Sequence, residues 1–280
     1  MMNISAIIVL YKPNLLTLMR TLSSITMQVT HCIVVNNGSD SFDFSDYSNI
    51  IYIELGDNYG IAHAQNEGIK KAFELKSDYI LLSDQDTVYP RNYIQDIFSY
   101  SKFFQYDVLC PIFFDNVKQE YSPVMLTKFS YMKRIKKPIY VEHAIASGTI
   151  IKTAIFSVIG LMDDKLFIDY VDFEWCWRLK QQNMKILCVP NVVINHALGD
   201  GSKRIMGVNV TVRSNVRYYY MIRNGCYLAL FCPNLKYHEK ILLLKKNFRL
   251  SIAVFLLRRN RKTFFLILEA WFCGILKKLT

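Results

Sequence analysis

Apolar residues fall in short dense runs, separated by stretches in which they recur at helical spacing. Ile4 to Leu10 is an unbroken apolar run and predicts a buried strand. Pro13 opens a stretch with Leu15, Leu18, Met19, Leu22 and Ile25 on one face, so a helix follows. His31 to Asn36 and Asn49 to Leu55 predict two more strands, and Gly60 to Leu75 a second helix. Asp78 to Leu82 reads as a strand closing into a loop at Ser83, and a helix is expected after Pro90. Residues 171 to 182 read as a helix, and Val192 to His196 ends another apolar run. Apolar strands alternating with helices predict an α/β fold: a mainly parallel, Rossmann-like sheet covered by helices on both faces. Ligands of such sheets bind beyond the carboxyl ends of the strands. Tyr11, Asn36, Asn37, Asp40 and Asp84 all follow strand ends and are expected around one crevice.

Candidate chemistry sharpens that expectation. Ser83-Asp84-Gln85-Asp86-Thr87 puts two carboxylates one residue apart at a strand end. Hard divalent cations are commonly held by one or two carboxylates together with substrate phosphates, so the spacing fits a metal clamp on a diphosphate. It equally fits a solvated turn. Further on, Phe167 to Arg178 gathers three acids, two tryptophans and an arginine. On a helix Asp172 neighbours Trp175 and Glu174 neighbours Arg178, while Asp172 and Glu174 point apart. Asp172 opens that helix, where the macrodipole favours a carboxylate. It reads either as part of a capped amphipathic helix or as a general base at a pocket mouth. His196 at a strand end is either structural or a third ligand beside the acidic pair, in a mixed oxygen and nitrogen set suited to Mn²⁺.

The order of these segments is VLYKP, IVVNNGSD, NYGIAHAQNEGI, LLSDQDT, ASGTII, FIDYVDFEWCWRL and VINHALGDG. It resembles the family 2 inverting glycosyltransferases of the GT-A fold, and among them the bacterial rhamnosyltransferases of O-antigen and surface-polysaccharide synthesis. The resemblance spans roughly residues 3 to 230. It implies transfer of a sugar, L-rhamnose from dTDP-rhamnose before another nucleotide sugar such as a UDP-hexose, to a hydroxyl of a lipid-linked oligosaccharide. Leu10, Tyr11, Asn36, Asn37 and Asp40 are then expected around the base and ribose. Acidic residues are commoner in the family where Asn36-Asn37 stands here. Asn58, Gly60, Ala64 and Asn66 match the pattern near the nucleotide sugar, although Asn58 and Asn66 equally suit turn and helix positions that satisfy backbone groups. Asp84 is expected near ribose and metal, Asp86 and His196 on Mg²⁺ or Mn²⁺, and Ser147, Gly148 and Trp175 on the acceptor side. Asp172 is expected to take the acceptor proton, so that attack from the face opposite the leaving diphosphate inverts the anomeric centre.

Charge divides the chain. The net +11 comes from 34 basic and 23 acidic residues, but residues 203 to 280 hold 16 Lys or Arg against Glu239 and Glu269. The last quarter therefore carries +14 and the rest −3. Leu250 to Leu257 and Thr263 to Leu276 are apolar, with Arg258 to Lys262 mostly basic between them. Neither block reaches the roughly 20 residues that span a bilayer. Basic residues beside Phe, Trp and Leu match an interfacial segment on anionic lipid, and equally two amphipathic helices packed on the main domain. The reading divides the chain into a GT-A domain, 1–230, and a basic, aromatic-rich helical tail, 231–280. No recognised nucleic-acid motif accompanies the charge, so nucleic acid is not the expected partner.

Composition restricts the remaining classes. With 52% apolar and 14% aromatic residues the chain is not disordered. Seven scattered cysteines without a Cys-x-x-Cys pair favour neither a disulfide framework nor a zinc site, and fit a reducing cytoplasm. No opening segment has signal-peptide order. The expected location is the cytoplasm, peripheral on the inner face of a bacterial cell membrane. A dinucleotide-binding domain needs a Gly-x-Gly-x-x-Gly turn after its first strand, and Tyr11-Lys12-Pro13-Asn14 contains no glycine. Two other classes are carried: a non-catalytic, membrane-bound assembly factor, and a nucleotidyltransferase that releases pyrophosphate.

Overall fold

Seven consecutive buried residues make Ile4–Leu10 (β1) the middle of a sheet rather than its edge. A strand covered on both faces reads as an unbroken apolar run. After Asn14, whose side chain accepts from the Thr17 N–H at 3.1 Å, comes helix α1, Leu15–Ile25. The structure, a computed structural model, describes residues 2–115, 119–122, 124–127, 130–132, 135–196, 202–205 and 208–279. The side chains of residues 115, 125–127, 130, 131, 196, 202–205 and 208–211 lie outside that description.

The chain continues through β2 (His31–Asn36), β3 (Ile50–Glu54), α2 (Ile61–Glu74), β4 (Tyr79–Asp84), α3 (Tyr93–Ile97) and β5 (Val108–Asp115). Short strands β6 (Glu120–Tyr121), β7 (Val124–Thr127), β8 (Ser130–Met132) and β9 (Ile139–Val141) follow, then β10 (Thr149–Lys152). Helices α4 (Ile155–Ile159) and α5 (Val171–Gln181) precede β11 (Ile186–His196), β12 (Ser202–Ile205) and β13 (Val208–Thr211). Three helices close the chain: α6 (Asn215–Phe231), α7 (Tyr237–Arg258) and α8 (Arg261–Ile275).

The main sheet has the order β3-β2-β1-β4-β10-β5-β11-β9. β1, β2, β3 and β4 run parallel, β5 and β11 run parallel to each other, and β10 is antiparallel to both β4 and β5. The expected mainly parallel sheet is thus interrupted inside by the reversed β10, and β9 and β6 run antiparallel to β11 and β5 at its margin. One face packs against α2, α4 and α5 through residues such as Ala64, Ile69, Phe156 and Trp175. The other packs against α1 and α3 through Leu18, Leu22, Ile25, Tyr93 and Ile97.

The α1 stripe is narrower than its spacing predicts. Leu18, Leu22 and Ile25 are buried, but Leu15 and Met19 are exposed. At about 100° per residue Met19 sits roughly 90° round from the middle of the buried stripe, and Leu15 belongs to the first turn, beyond the sheet. All seven cysteines are free thiols.

α6 packs on α7 and α8, and it also touches the α/β body. The helical unit therefore includes residues that the sequence reading assigns to the GT-A domain, because α6 serves both neighbours. Among the described residues no helix is long and apolar enough to cross a membrane.

Candidate active site

Parallel pairing brings strand ends to one edge. Leu10 pairs with Asn36 and Val9 with Asp84, so Tyr11, Asn37 and Gln85 all leave the sheet there. Thr149 of the reversed β10 lies opposite Leu82, and the Gly148 N–H donates to Leu82 O at 2.8 Å. The segment 146–148 therefore reaches the same edge from the opposite direction. Only glycine suits residue 148, where φ is +76° and an added Cβ would lie 2.3 Å from Ile194 Cδ1. A bridge between Val88 and Asn195 draws the end of β11 alongside the turn that carries Asp84 and Asp86.

On the side of β1 and β2 the loops are held by amides. Gln85 clips two of them together: its Oε1 accepts from the Tyr11 N–H at 2.8 Å and its Nε2 donates to Tyr11 O at 3.2 Å. Tyr11 itself is exposed, and Leu10 is buried beneath it. Buried Asn36 donates to Asp40 O and, at 3.0 Å, to the Tyr52 hydroxyl, which folds the 36–40 loop and leaves Asp40 on the surface. Asn37 donates to Asn58 Oδ1 at 3.0 Å and accepts from the Tyr59 N–H at 2.8 Å, while Asn58 Oδ1 also accepts from the Gly60 N–H.

Gly60 has φ +88°, and a Cβ there would lie 2.6 Å from Phe167 O, so this loop abuts the one that leads into α5. Ala64 is buried against the sheet. The Asn66 amide is spent on structure: it donates to Met162 O at 2.9 Å and to Asp164, and accepts from the Met162 N–H at 2.9 Å. The asparagines of this region thus act on backbone and on one another.

Asp172 sits at the head of α5, one residue past its start. Its Oδ2 accepts from the Ala146 N–H at 3.1 Å. Next door, Ser147 Oγ accepts from the Asp84 N–H at 3.3 Å and shares a hydrogen bond of 2.6 Å with Thr87. Segment 146–147 therefore joins the acidic turn on one side to Asp172 on the other. Burial pushes the Asp172 carboxyl up to about 7; the Ala146 N–H opposes this, and the charges of Asp84 and Asp169 add to it. Asp172 lines a cleft with Ala146, Thr149, Met162 and Trp175. The Trp175 Nε1–H donates to Gly160 O at 3.1 Å, so its ring is fixed as a wall. Glu174 points away, as expected, and takes a forked bond from Arg178 at 2.8 and 3.0 Å.

A divalent cation has a partial donor set here. Asp84 is half-buried and Asp86 exposed on one turn. The backbone of residue 196 comes to the same corner, but the His196 side chain lies outside the described residues. Among the described residues no three His, Cys, Asp or Glu side chains form a closed cage. An open carboxylate pair completed by substrate phosphates needs no such cage, so these residues fit Mg²⁺ or Mn²⁺ arriving with a diphosphate.

Three participants carry no sequence signal of their own. Gln85 was visible only as the spacer between two acids. Thr87 acts through Ser147, and Ala146 through its backbone N–H. Contacts of this kind depend on which loops the sheet brings together.

Comparison with known proteins identifies the family and the fold. The family description Glycosyl transferase family 2 matches residues 5–160. The chain is 33% identical over 232 residues to the dTDP-rhamnosyl transferase RfbF of Shigella flexneri, covering 80% of this chain and 78% of RfbF. It is 25% identical over 199 residues to the low-salt glycan biosynthesis hexosyltransferase Agl10 of Haloferax volcanii, covering 66% of this chain and 64% of Agl10. Among solved structures, S. aureus TarS 1-349 in complex with UDP-GlcNAc superposes with a TM-score of 0.59. That match is 13% identical and covers 99% of this chain and 83% of that one, a likeness of fold alone.

Proposed function

The chain belongs to glycosyl transferase family 2, and on that premise we propose that it moves L-rhamnose from dTDP-rhamnose to a hydroxyl of a lipid-linked oligosaccharide, with inversion, in the synthesis of O-antigen or another surface polysaccharide. Glycosyl transfer on a GT-A scaffold comes with the family. The likeness to RfbF supports the sugar and the nucleotide. One observation supports the mechanism: segment 146–147 links a carboxyl pushed up to about 7 to the strand-end turn that begins at Asp84.

In this reading the donor lies over the ends of β1, β2 and β4, against Leu10, Tyr11, Asn36, Asn37, Asp40, Asn58, Gly60, Ala64, Asn66 and Asp84. Several of these act at one remove, by holding the loops that meet the nucleotide. Asp84 and Asp86, with His196 as a further ligand, would hold Mg²⁺ or Mn²⁺. That cation, when bound, neutralises the leaving diphosphate as a Lewis acid. Ser147, Gly148 and Trp175 border the acceptor. Asp172 removes the proton from the attacking hydroxyl, and a base titrating near 7 suits that task at neutral pH. No covalent sugar intermediate is required.

The basic helices of 231–280 supply the membrane contact. Phe248, Phe255, Phe265, Phe272 and Ile275 are exposed among Lys245, Arg249, Arg258, Arg261, Lys262 and Lys278. Exposed aromatic and aliphatic side chains beside cations suit an anionic bilayer surface, and with it a cytoplasmic, peripheral location on the inner face of the membrane. A UDP-hexose donor is the second reading, favoured by the likeness to the hexosyltransferase Agl10.

The test is a panel of dTDP- and UDP-sugars with Mg²⁺ or Mn²⁺ and a lipid-linked acceptor, analysed for product and for the released nucleotide. The expected products are a rhamnosylated lipid and dTDP. Pyrophosphate release would instead make the protein a nucleotidyltransferase. Absence of turnover with every sugar would favour the assembly-factor reading.

A further inference from the structure

We propose that Arg217, Arg223 and Asn224 of α6 are positioning residues for Asp172: they hold the left-handed turn 167–170 that sets the base in the cleft. The inference rests on Asp172 being the base.

The turn does not hold itself. Phe167, Asp169 and Tyr170 have φ of +62°, +63° and +67°, a region that residues with side chains adopt only at a cost. Phe167 centres a γ-turn closed by the Ile168 N–H on Leu166 O at 2.7 Å, one of the less stable turn forms. Tyr170 is the left-handed residue that opens α5, two positions before Asp172. Such strain persists only where surrounding structure dictates it.

α6 supplies that structure. Asn224, fully buried, donates to Leu166 O at 2.8 Å, Ile168 O at 2.9 Å and Asp169 O at 3.0 Å. The orientation of its amide is fixed by Arg223, whose Nε and Nη2 donate to Asn224 Oδ1 at 3.0 and 2.9 Å. Arg223 Nη2 also reaches Lys165 O at 2.7 Å and Leu166 O at 3.2 Å, and the guanidinium lies over the Tyr220 ring at 4.7 Å. Tyr220 in turn stacks on Phe167 with ring centroids 4.5 Å apart and planes 11° apart. Arg217 forks onto both oxygens of Asp169 at 3.1 and 3.2 Å. The carbonyls of Lys165, Leu166, Ile168 and Asp169, and the Asp169 carboxylate, are thus captured by a single helix. That helix belongs to the basic unit and not to the sheet.

Two variants test this. Arg217→Gln breaks a partly exposed ion pair and keeps the buried network, so it folds even where Asn224→Ser does not. Both are compared with the full-length parent, using the sugar donor that the panel identifies. The expected result is a fall in kcat of about 10- to 100-fold with dTDP affinity by calorimetry essentially unchanged, since small displacements of a reacting group cost rate rather than donor binding. Arg217→Lys, which retains the charge without the fork, recovers part of the loss. Hydrogen exchange of amides 166–174 speeds up in both variants, while that of α8 does not.

Parental kcat in a folded Arg217→Gln protein with faster exchange in the turn would overturn the positioning role. So would unchanged exchange in the turn, whatever the activity. A parent inactive toward every nucleotide sugar counts against the functional reading instead, and the exchange measurement then decides the inference alone.

Discussion

The sheet and the three C-terminal helices both enclose apolar clusters, but the helices add a buried polar network to theirs. β1 buries seven residues in a row, six of them apolar, and the two faces of the sheet are filled almost wholly by aliphatic and aromatic side chains. The helical unit encloses Arg223, Asn224, Asn247, Ser251 and Thr263. Asn247 donates to Ile222 O at 2.9 Å, and the Trp271 indole N–H to Ser251 Oγ at 3.0 Å. Apolar burial is strong but non-directional, so it fixes where strands end without choosing how a loop turns. Buried hydrogen bonds add little net energy each, yet leaving one unmade is costly, which makes them selective for a single geometry. The sheet brings Asp84 and Asp172 to one edge; the helices choose the conformation in which Asp172 arrives.

The comparison can be broken at the point where the regions meet. Asp172→Asn should lower turnover by about 10²- to 10⁴-fold, the usual worth of a general base, and leave nucleotide binding intact. Turnover equal to that of the parent would remove Asp172 from the mechanism.

Stability separates the two regions next. Ile8→Ala in the sheet should cost about 2–5 kcal/mol through lost burial and the cavity left behind. Asn247→Ala in the helices should cost about 0.5–1.5 kcal/mol through the lost hydrogen bond to Ile222 O, a carbonyl that keeps its place in the α6 ladder. Denaturant midpoints measure both, and equal costs would mean that the helices too depend chiefly on packing.

A pH series sharpens the picture further. Burial pushes the folded Asp172 carboxyl up to about 7 from its ordinary value of 3.8, so the folded protein holds a proton there that the unfolded chain has lost between those values. Stability contributed by that proton is present at pH 4 and is lost as pH rises through 7. Asp172→Asn should therefore match the parent at pH 4 and exceed it at pH 8 by about 1–2 kcal/mol, a full conversion being reduced because the residue is partly exposed. Thermal melts at the two pH values decide it. Parental activity should rise through the same range, since only the ionised carboxylate accepts a proton.

The smallest effect belongs to the clip between loops. Gln85→Ala should cost about 0.5–1.5 kcal/mol and raise KM for the donor more than it lowers kcat, read from initial rates. The reverse split would move Gln85 toward the acceptor side.

Much of this was legible in the sequence. Strands with unbroken apolar runs, such as Ile4 to Leu10 and His31 to Asn36, declare themselves because both faces are covered. Strand-end chemistry follows from parallel pairing, and so Asp84 could be placed near Asn36 before any coordinates. The reversed β10 could not be foreseen, since a strand of three buried residues and a lysine looks the same in either direction. Nor could the spending of the Asn37, Asn58 and Asn66 amides on backbone, on one another and on Asp164, which depends on partners up to 98 residues away. Arg217, Arg223 and Asn224 fall in the last quarter of the chain, whose sequence signal is its basic charge. A buried guanidinium and an exposed one carry the same letter, and only packing tells them apart.

The contact between Gly60 and Phe167 has a kinetic consequence. In the proposed reading, the loop on the nucleotide side and the loop that leads to Asp172 meet there, with Gly60 packed directly on the backbone and ring of Phe167 and little room to absorb a shift. Whatever seats the first must be felt by the second. The enzyme should therefore bind its substrates in a fixed sequence, the activated sugar first and the alcohol after it, and a nucleoside diphosphate added as product should compete with the donor and not with the alcohol.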